Sequence, residues 1–316
     1  MQPQLKPCAV LAAVALAATP VARAAETVEV GSVGSASAVL WPHYIAEAKG
    51  LYAGAGLTID LVPSQTGSAM LQALTAGSTT VGIAAGIADP MNAFAAGAGI
   101  AIVAIDGASG PYAVMARKEF KSFKDLKGRS VTVDGPKGAT LVYFNKMLEG
   151  NGMTTKDVDF SFAGSTAARF AALQSGTVDA AILTAPQLFT AEALGFANLG
   201  YAIDYAKGVP FTAEIVNAKW AEAHKATAKK FLDAYVQAEA WFNDSKNKDE
   251  ADDILFAGTR MNKDDIARSY DFLRKINFFV PSAHVDPAQI RNFYNAFREL
   301  DPTVTLDVGK LVMNLE

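Results

Sequence analysis

Five short turns hold the residues best suited to bind something in this chain. They are Ser35-Ala36-Ser37, Thr66-Gly67-Ser68, Gly86-Ile87, Lys137-Gly138-Ala139-Thr140 and Thr184-Ala185-Pro186. Each lies between an apolar run and a helical pattern. The first turn of a helix presents backbone N–H groups without intrahelical partners and a partial positive charge. Small side chains let a ligand reach that backbone, and Ser and Thr hydroxyls donate or accept. This chemistry suits an anionic head group. Lys137 is the one cation in the five turns. Trp41, Tyr112, Tyr143 and Phe211 are the aromatic residues placed to line such a site, and they suit an apolar or aromatic organic body.

Bond-making chemistry has much less to draw on. His43, His224 and His284 stand in unrelated contexts, and no His-x-x-x-His or similar ligand spacing occurs. Neither a Gly-x-Ser-x-Gly elbow nor a P-loop is present; the turn Asp134-Gly135-Pro136-Lys137-Gly138 comes nearest and completes neither. Cys8 is the only cysteine, so the rest of the chain has no disulfide, thiolate nucleophile or cysteine metal ligand. No catalytic residue, metal or cofactor is assigned.

The elements that position the turns show a repeat. Ala73-Leu74-Thr75-Ala76-Gly77 followed by Val81-Gly82-Ile83-Ala84 has its echo in Ala172-Leu173-Gln174-Ser175-Gly176 followed by Ala180-Ala181-Ile182-Leu183. In each copy a helix ends at a glycine suited to the left-handed closing residue, and a short unbroken apolar strand follows. Two similar α/β halves predict two lobes with a cleft between them. The order strand, helix, strand continues from Val28 to Ile105 and again from Tyr112 to Ile203, which predicts largely parallel sheets with helices on both faces. Asp106 to Pro111 reads as the first crossing between lobes and Ala206 to Val216 as the return. Lobe 1 is then discontinuous, 25–110 with 210–316, and lobe 2 is 111–209. Beyond the return the chain is helical. Phe231, Tyr235, Ala238 and Phe242 mark one buried helix face, and Ile290, Phe293, Phe297 and Leu300 another.

Residues 1–24 differ from the remainder. Lys6, the apolar run Ala9 to Ala18 and the small-x-small pattern Ala22-Arg23-Ala24 predict a signal peptide cut after Ala24, hence export to the periplasm. The chain has 316 residues, 51% hydrophobic and 19% charged, which suffices for two domains, and its formal charge is −4. No block of Lys or Arg stands out, and this argues against a nucleic-acid partner.

These segments resemble the periplasmic substrate-binding proteins of the nitrate/sulfonate/taurine class of ABC importers, which are related to thiamine-pyrimidine synthase. The resemblance is carried by Ala46-Glu47-Ala48-Lys49-Gly50-Leu51-Tyr52 leading to Gly56-Leu57, and by Asp125-Leu126-Lys127-Gly128-Arg129. Ala172-Leu173-Gln174-Ser175-Gly176, Val178-Asp179-Ala180 and Asn217-Ala218-Lys219-Trp220-Ala221 extend it, so that it covers nearly the whole chain after residue 24. It implies a type II periplasmic-binding fold, capture of a small molecule by lobe closure, a monomer, and delivery to a membrane permease. Sulfonate binders of this class often carry Trp, an acidic residue and Pro where this chain has Thr184-Ala185-Pro186. An organic acid is therefore the expected ligand, with a neutral pyrimidine or other heterocycle as the alternative. The related synthase is an enzyme that uses a cysteine-rich segment and a histidine. Residues 25–316 contain no cysteine, so that activity does not carry over.

Overall fold

The computed structural model describes residues 25–315; the predicted signal peptide lies outside the described residues. The first sheet begins with β1 (Glu26–Val33), β2 (Leu57–Ser64), β3 (Val81–Gly86) and β4 (Ile100–Ile105), joined by helices α1 (Trp41–Ala48), α2 (Leu51–Gly54), α3 (Gly67–Ala76) and α4 (Ala88–Ala95). The second sheet holds β5 (Tyr112–Ala116), β6 (Ser130–Val133), β7 (Asp159–Phe162), β8 (Ala180–Thr184) and β9 (Ala197–Tyr201), with α5 (Ala139–Gly150), α6 (Thr166–Gln174) and α7 (Gln187–Ala193) between them. The chain then returns to the first sheet as β10 (Thr212–Asn217). It ends in α8 (Ala218–Ala223), α9 (Lys225–Asn243), α10 (Lys248–Thr259), α11 (Lys263–Lys275), α12 (Pro287–Leu300) and α13 (Val308–Leu311).

Both sheets are five-stranded and share one plan. The first runs β2-β1-β3-β10-β4 and the second β7-β6-β8-β5-β9. In each, the strand next to the edge is the one that arrives by a crossing, and it runs antiparallel to both neighbours. The sequence repeat occupies equivalent places: α3 with β3, and α6 with β8. Thr66 and Ser165 cap these helices through their hydroxyls. Gly77 and Gly176 close them at φ +80° and +76°, a conformation that costs a residue with a Cβ roughly 1 kcal/mol or more. β4, β5 and β8 are buried along their whole length, as expected for strands covered on both faces.

Three details differ from the sequence reading. The return crossing is shorter than 206–216, because Thr212 to Asn217 finds hydrogen-bonding partners on β3 and β4 and becomes a strand. The helix expected from Val39 begins as a 3₁₀ turn, Ala38–Leu40, and becomes α-helical at Trp41, where Pro42 suits the first turn. The C-terminal helices do not keep to one sheet. α9 and α10 pack on α1, whereas α11 reaches α7 and α12 reaches α5.

An acidic cluster lies in the core at the roots of the crossings. Asp106, at the end of β4, and Glu214, on β10, are fully buried, as is Glu239 of α9. None forms a salt bridge among the described residues. Burial pushes Asp106 up to about 6, against the opposing bond from the Gly107 N–H, which donates to its carboxylate at 2.9 Å. Burial, followed by the negative charge of neighbouring carboxylates, holds Glu214 and Glu239 well above the usual range. The folded chain therefore keeps protons that the unfolded chain, with carboxyl values near ~4, releases. This contribution to stability is complete below about pH 4 and is lost as pH rises through about 6 for Asp106 and higher for the two glutamates. The amide variant Glu239→Gln should then gain on wild type as pH rises, by up to about 1.4 kcal/mol per pH unit over the range in which the unfolded carboxyl is ionised and the folded Glu239 is still protonated. Melting curves from pH 5 to 9 test this; a constant difference between the two proteins would refute it.

Candidate ligand-binding site

The carboxyl ends of the parallel strands in both sheets point at one another, and a cleft of about 1360 Å³ lies between them. Ser35, Ala36, Thr66, Gly67, Ser68 and Gly86 line it from the first sheet. Tyr112, Lys137, Gly138, Ala139, Thr140 and Thr184 line it from the second, with Phe211 from the return crossing. The rings of Tyr112 and Phe211 meet edge-on at 4.9 Å and form an apolar floor. Thr184, opposite Tyr112 in register, is buried with its hydroxyl unpartnered. The two sides already touch at the rim. The Asn92 amide donates to the Lys137 carbonyl at 3.0 Å. A Cβ on Gly164 would stand 2.8 Å from Cγ2 of Thr66, so the glycine permits that approach.

Several expected residues are elsewhere. Trp41 is fully buried, its indole N–H donating to the Ala251 carbonyl at 2.8 Å and its ring packed on Phe242 and Tyr270. It pins α1 to the C-terminal helices, partners that sequence spacing does not reveal. Tyr143 is likewise core, donating to the carbonyls of Val209 and Pro210. Ile87 cannot offer its N–H, which donates to the Phe211 carbonyl at 3.1 Å, and its side chain is buried. Ala185 and Pro186 lie behind the cleft wall. Ala185 is buried, and the Ala185–Pro186 peptide is cis, while Thr184 and Gln187 on either side reach the surface of the cleft. His43 is a core residue beside Tyr44 and Tyr52, and burial lowers it to about 4.

The helix starts are also less free than their sequence suggests. Asp134 caps α5: its carboxylate accepts from the Thr140 N–H at 3.2 Å, the Thr140 hydroxyl at 2.6 Å and the Gly135 N–H at 2.9 Å. Lys137 forms a salt bridge with Asp301 at 2.5 Å. The expected anion site on Lys137 and the α5 terminus is therefore already neutralised by two aspartates.

Two charged residues of the cleft escaped the sequence reading. Arg169 lines it with only 2% of its surface exposed. Its guanidinium donates to the carbonyls of Ile182 (2.8 Å), Ala163 (3.1 Å) and Gly164 (2.8 Å) and to the Thr166 hydroxyl (2.9 Å). No carboxylate pairs with it among the described residues. A guanidinium has five N–H groups, so these four bonds leave one without a partner. Asp89, in the first turn of α4, also lines the cleft. The repeat itself held the signal. In its register Arg169 matches Met70 and Asp89 matches Leu188, both fully buried apolar residues. At both places a charge stands where the sister copy keeps a core residue.

The architecture, two α/β lobes around a cleft with two crossings, is the periplasmic-binding-protein fold. The family model described as NMT1/THI5 like matches residues 38–246, and the chain belongs to that family. Among solved structures it is similar to the alkanesulfonate-binding protein SsuA from Xanthomonas axonopodis pv. citri bound to MOPS, at 18% identity and TM-score 0.74 over 91% of this chain and 98% of that one. The periplasmic aliphatic sulphonate binding protein SsuA from Escherichia coli aligns at 21% identity and TM-score 0.70, over 91% and 92%. The periplasmic nitrate-binding protein NrtA from Synechocystis PCC 6803 aligns at 20% and 0.67, over 77% and 69%. No curated protein sequence matches the chain.

Lys137 gives a direct check on this geometry. Because Asp301 already holds its ammonium, Lys137→Ala should leave ligand affinity within about threefold of wild type. A tenfold loss in a titration would return Lys137 to the site.

Proposed function

We propose that the chain is the solute-binding component of an ABC importer, capturing a small organic acid by lobe closure in the periplasm and delivering it to a membrane permease. The observation that carries the anionic ligand is Arg169. A guanidinium removed from water without a counter-ion costs several kcal/mol unless a charge is brought to it. Here it faces a cleft, with one N–H unused, beside the unpartnered hydroxyl of Thr184. A carboxylate or sulfonate at this place would complete the bonding of both groups, and the Tyr112–Phe211 floor would receive an apolar body. The cleft lining contains neither His nor Cys, which favours binding over catalysis. The lobes in this reading are 25–110 with 210–316, and 111–209. Closure about Asp106–Pro111 and the return crossing lets both contact the ligand at once.

A thermal-shift screen of carboxylates, sulfonates and neutral pyrimidines should show stabilisation by acids. Arg169→Gln should weaken the best of them at least tenfold, about 1.5–3 kcal/mol for a charge-assisted bond in a desolvated site, provided circular dichroism shows the variant folded. Tight binding of a neutral pyrimidine that survives Arg169→Gln would overturn the acid and leave the heterocycle as ligand.

Closure has its own measurement. The radius of gyration from solution scattering should fall when a stabilising acid saturates the protein. Gly164→Val, which places bulk against Thr66, should reduce that fall and weaken binding. An unchanged radius for wild type at saturation would remove the closure step.

A further inference from the structure

The end of β3 that reaches the cleft is bent out of its ladder. Against β10 the pairing runs Thr212 to Gly86 and Ala213 to Ala85, then Ile215 to Gly82, so Ile83 and Ala84 together face the single residue Glu214. On its other side β10 is out of step with β4 at the same place: Glu214 pairs with Ala104 and Ile215 with Ile102, which leaves out Val103. A bulge of this kind disrupts the ladder locally and redirects the strand. Ala84, inside it, is held at φ +49°, in the left-handed region that a Cβ disfavours. Ile83 and Ala85 are buried, whereas Ala84 is half-buried and lines the cleft. Further along β3, Gly86 lines it too, and a Cβ there would stand 3.5 Å from that of Ala139 on the other side.

An N–H displaced from the ladder still needs an acceptor. That of Ala84 finds it in a side chain: it donates to Oε1 of Glu214 at 3.3 Å. Glu214 is fully buried, and its other oxygen, Oε2, has no partner among the described residues. Burial holds its carboxyl well above the usual carboxylate range. A protonated carboxyl presents the same carbonyl acceptor as a side-chain amide. The plan of the sheet does not require this arrangement. In the second sheet β8 runs in unbroken register against β5, with Leu183 at the place of Ala84 and facing Ala113. That pair of strands has neither a bulge nor an acid.

We propose that Glu214 is a positioning residue of the binding site: from within the core it fixes the bulge at Ala84 and so sets the shape of the edge that the first lobe presents to the cleft. This rests on the cleft being the ligand site. Glu214 does not itself line the cleft and acts through one backbone N–H. An apolar side chain of similar size would fill its space but leave that N–H without an acceptor. The Ile83–Ala84 peptide would then be free to turn, which lets Ala84 return to negative φ and withdraws the bulge from the cleft.

The test compares Glu214→Gln, which keeps the acceptor, with Glu214→Leu, which removes it. Hydrogen exchange of the Ala84 amide, followed by NMR, reads the bulge without any ligand. The amide should be protected in wild type, exchange about tenfold faster or more in Glu214→Leu, and stay within about threefold of wild type in Glu214→Gln. The Ala85 and Gly86 amide resonances should shift with it in Glu214→Leu, while those of β2 keep their places. Calorimetric titration with benzoate, hexanoate, hexanesulfonate and thymine reads the consequence. Whichever binds wild type best should bind Glu214→Leu about tenfold more weakly and Glu214→Gln within about threefold. In an Ala84→Gly background, where positive φ carries no strain, the loss on Glu214→Leu should shrink. Should Glu214→Leu not fold, Glu214→Met, unbranched and of the same length, takes its place. Equal protection of the Ala84 amide in wild type and Glu214→Leu overturns the proposal. Lost protection with unchanged affinity overturns it too, since the bulge would then serve packing alone, and so does a loss in Glu214→Gln as large as that in Glu214→Leu. If none of the three acids binds wild type, the organic-acid reading falls by itself, and the exchange and resonance shifts still decide whether Glu214 shapes the cleft edge.

Discussion

The structure depends on one topological constraint: each sheet is completed by a strand that the chain delivers only after crossing. β10 sits between β3 and β4, so the first sheet cannot close its ladder until the entire second sheet has been traversed. β5 holds the matching place between β8 and β9. Both inserted strands run against their neighbours, which aims the carboxyl ends of the two sets of parallel strands at one another. Ligands of open α/β sheets gather at such ends. Here two of them share one space, and the cleft follows from the order of strands before any side chain is considered.

The charges within that space follow a second rule. Helix starts in the cleft are largely satisfied from within: Thr66 caps α3, Ser165 caps α6 and Asp134 caps α5. What stays unmatched is carried by side chains. Arg169 gives four N–H groups to the loop, helix and strand around it and forms no salt bridge among the described residues. Asp89 has burial against it and no donor for it. A protein folding for stability alone would place apolar residues at both positions, as its own repeat does with Met70 and Leu188. Removing a charge from water without a partner is expensive enough that these residues need an account beyond packing.

The core acids at the crossings belong to the same economy of unmatched groups, but they resolve it differently. Asp106, Glu214 and Glu239 form no salt bridge among the described residues, and burial raises all three above the usual carboxylate range. Asp106 and Glu214 lie on the two strands adjoining the crossings, and the hydrogen bond between Glu214 and the Ala84 N–H ties β10 to the strand that bears the cleft. The segment about which the lobes are proposed to move is thus anchored by buried acids rather than by ion pairs.

Periodicity and punctuation were enough to read much of this from residues alone. Unbroken apolar runs such as Ile100 to Ile105, glycines that end helices and the doubled Ala-Leu-x-x-Gly segment made two α/β halves with crossings legible, because burial on both faces and left-handed closure are local demands that leave local marks. The small-residue turns were legible for the same reason, and most of them line the cleft. Whether an N–H in such a turn is free was not. Ile87 lost its donor to Phe211, and Asp134 took those of Gly135 and Thr140, through contacts set by the sheet and the loop. Trp41 had the look of a site residue and became a core anchor because helices more than two hundred positions away in sequence close over it. Arg169 and Asp89 show the converse. Each is an ordinary charge on a helix until the fold buries Arg169 and half-buries Asp89 in the cleft, and only loss of water turns a charge into a demand for a partner.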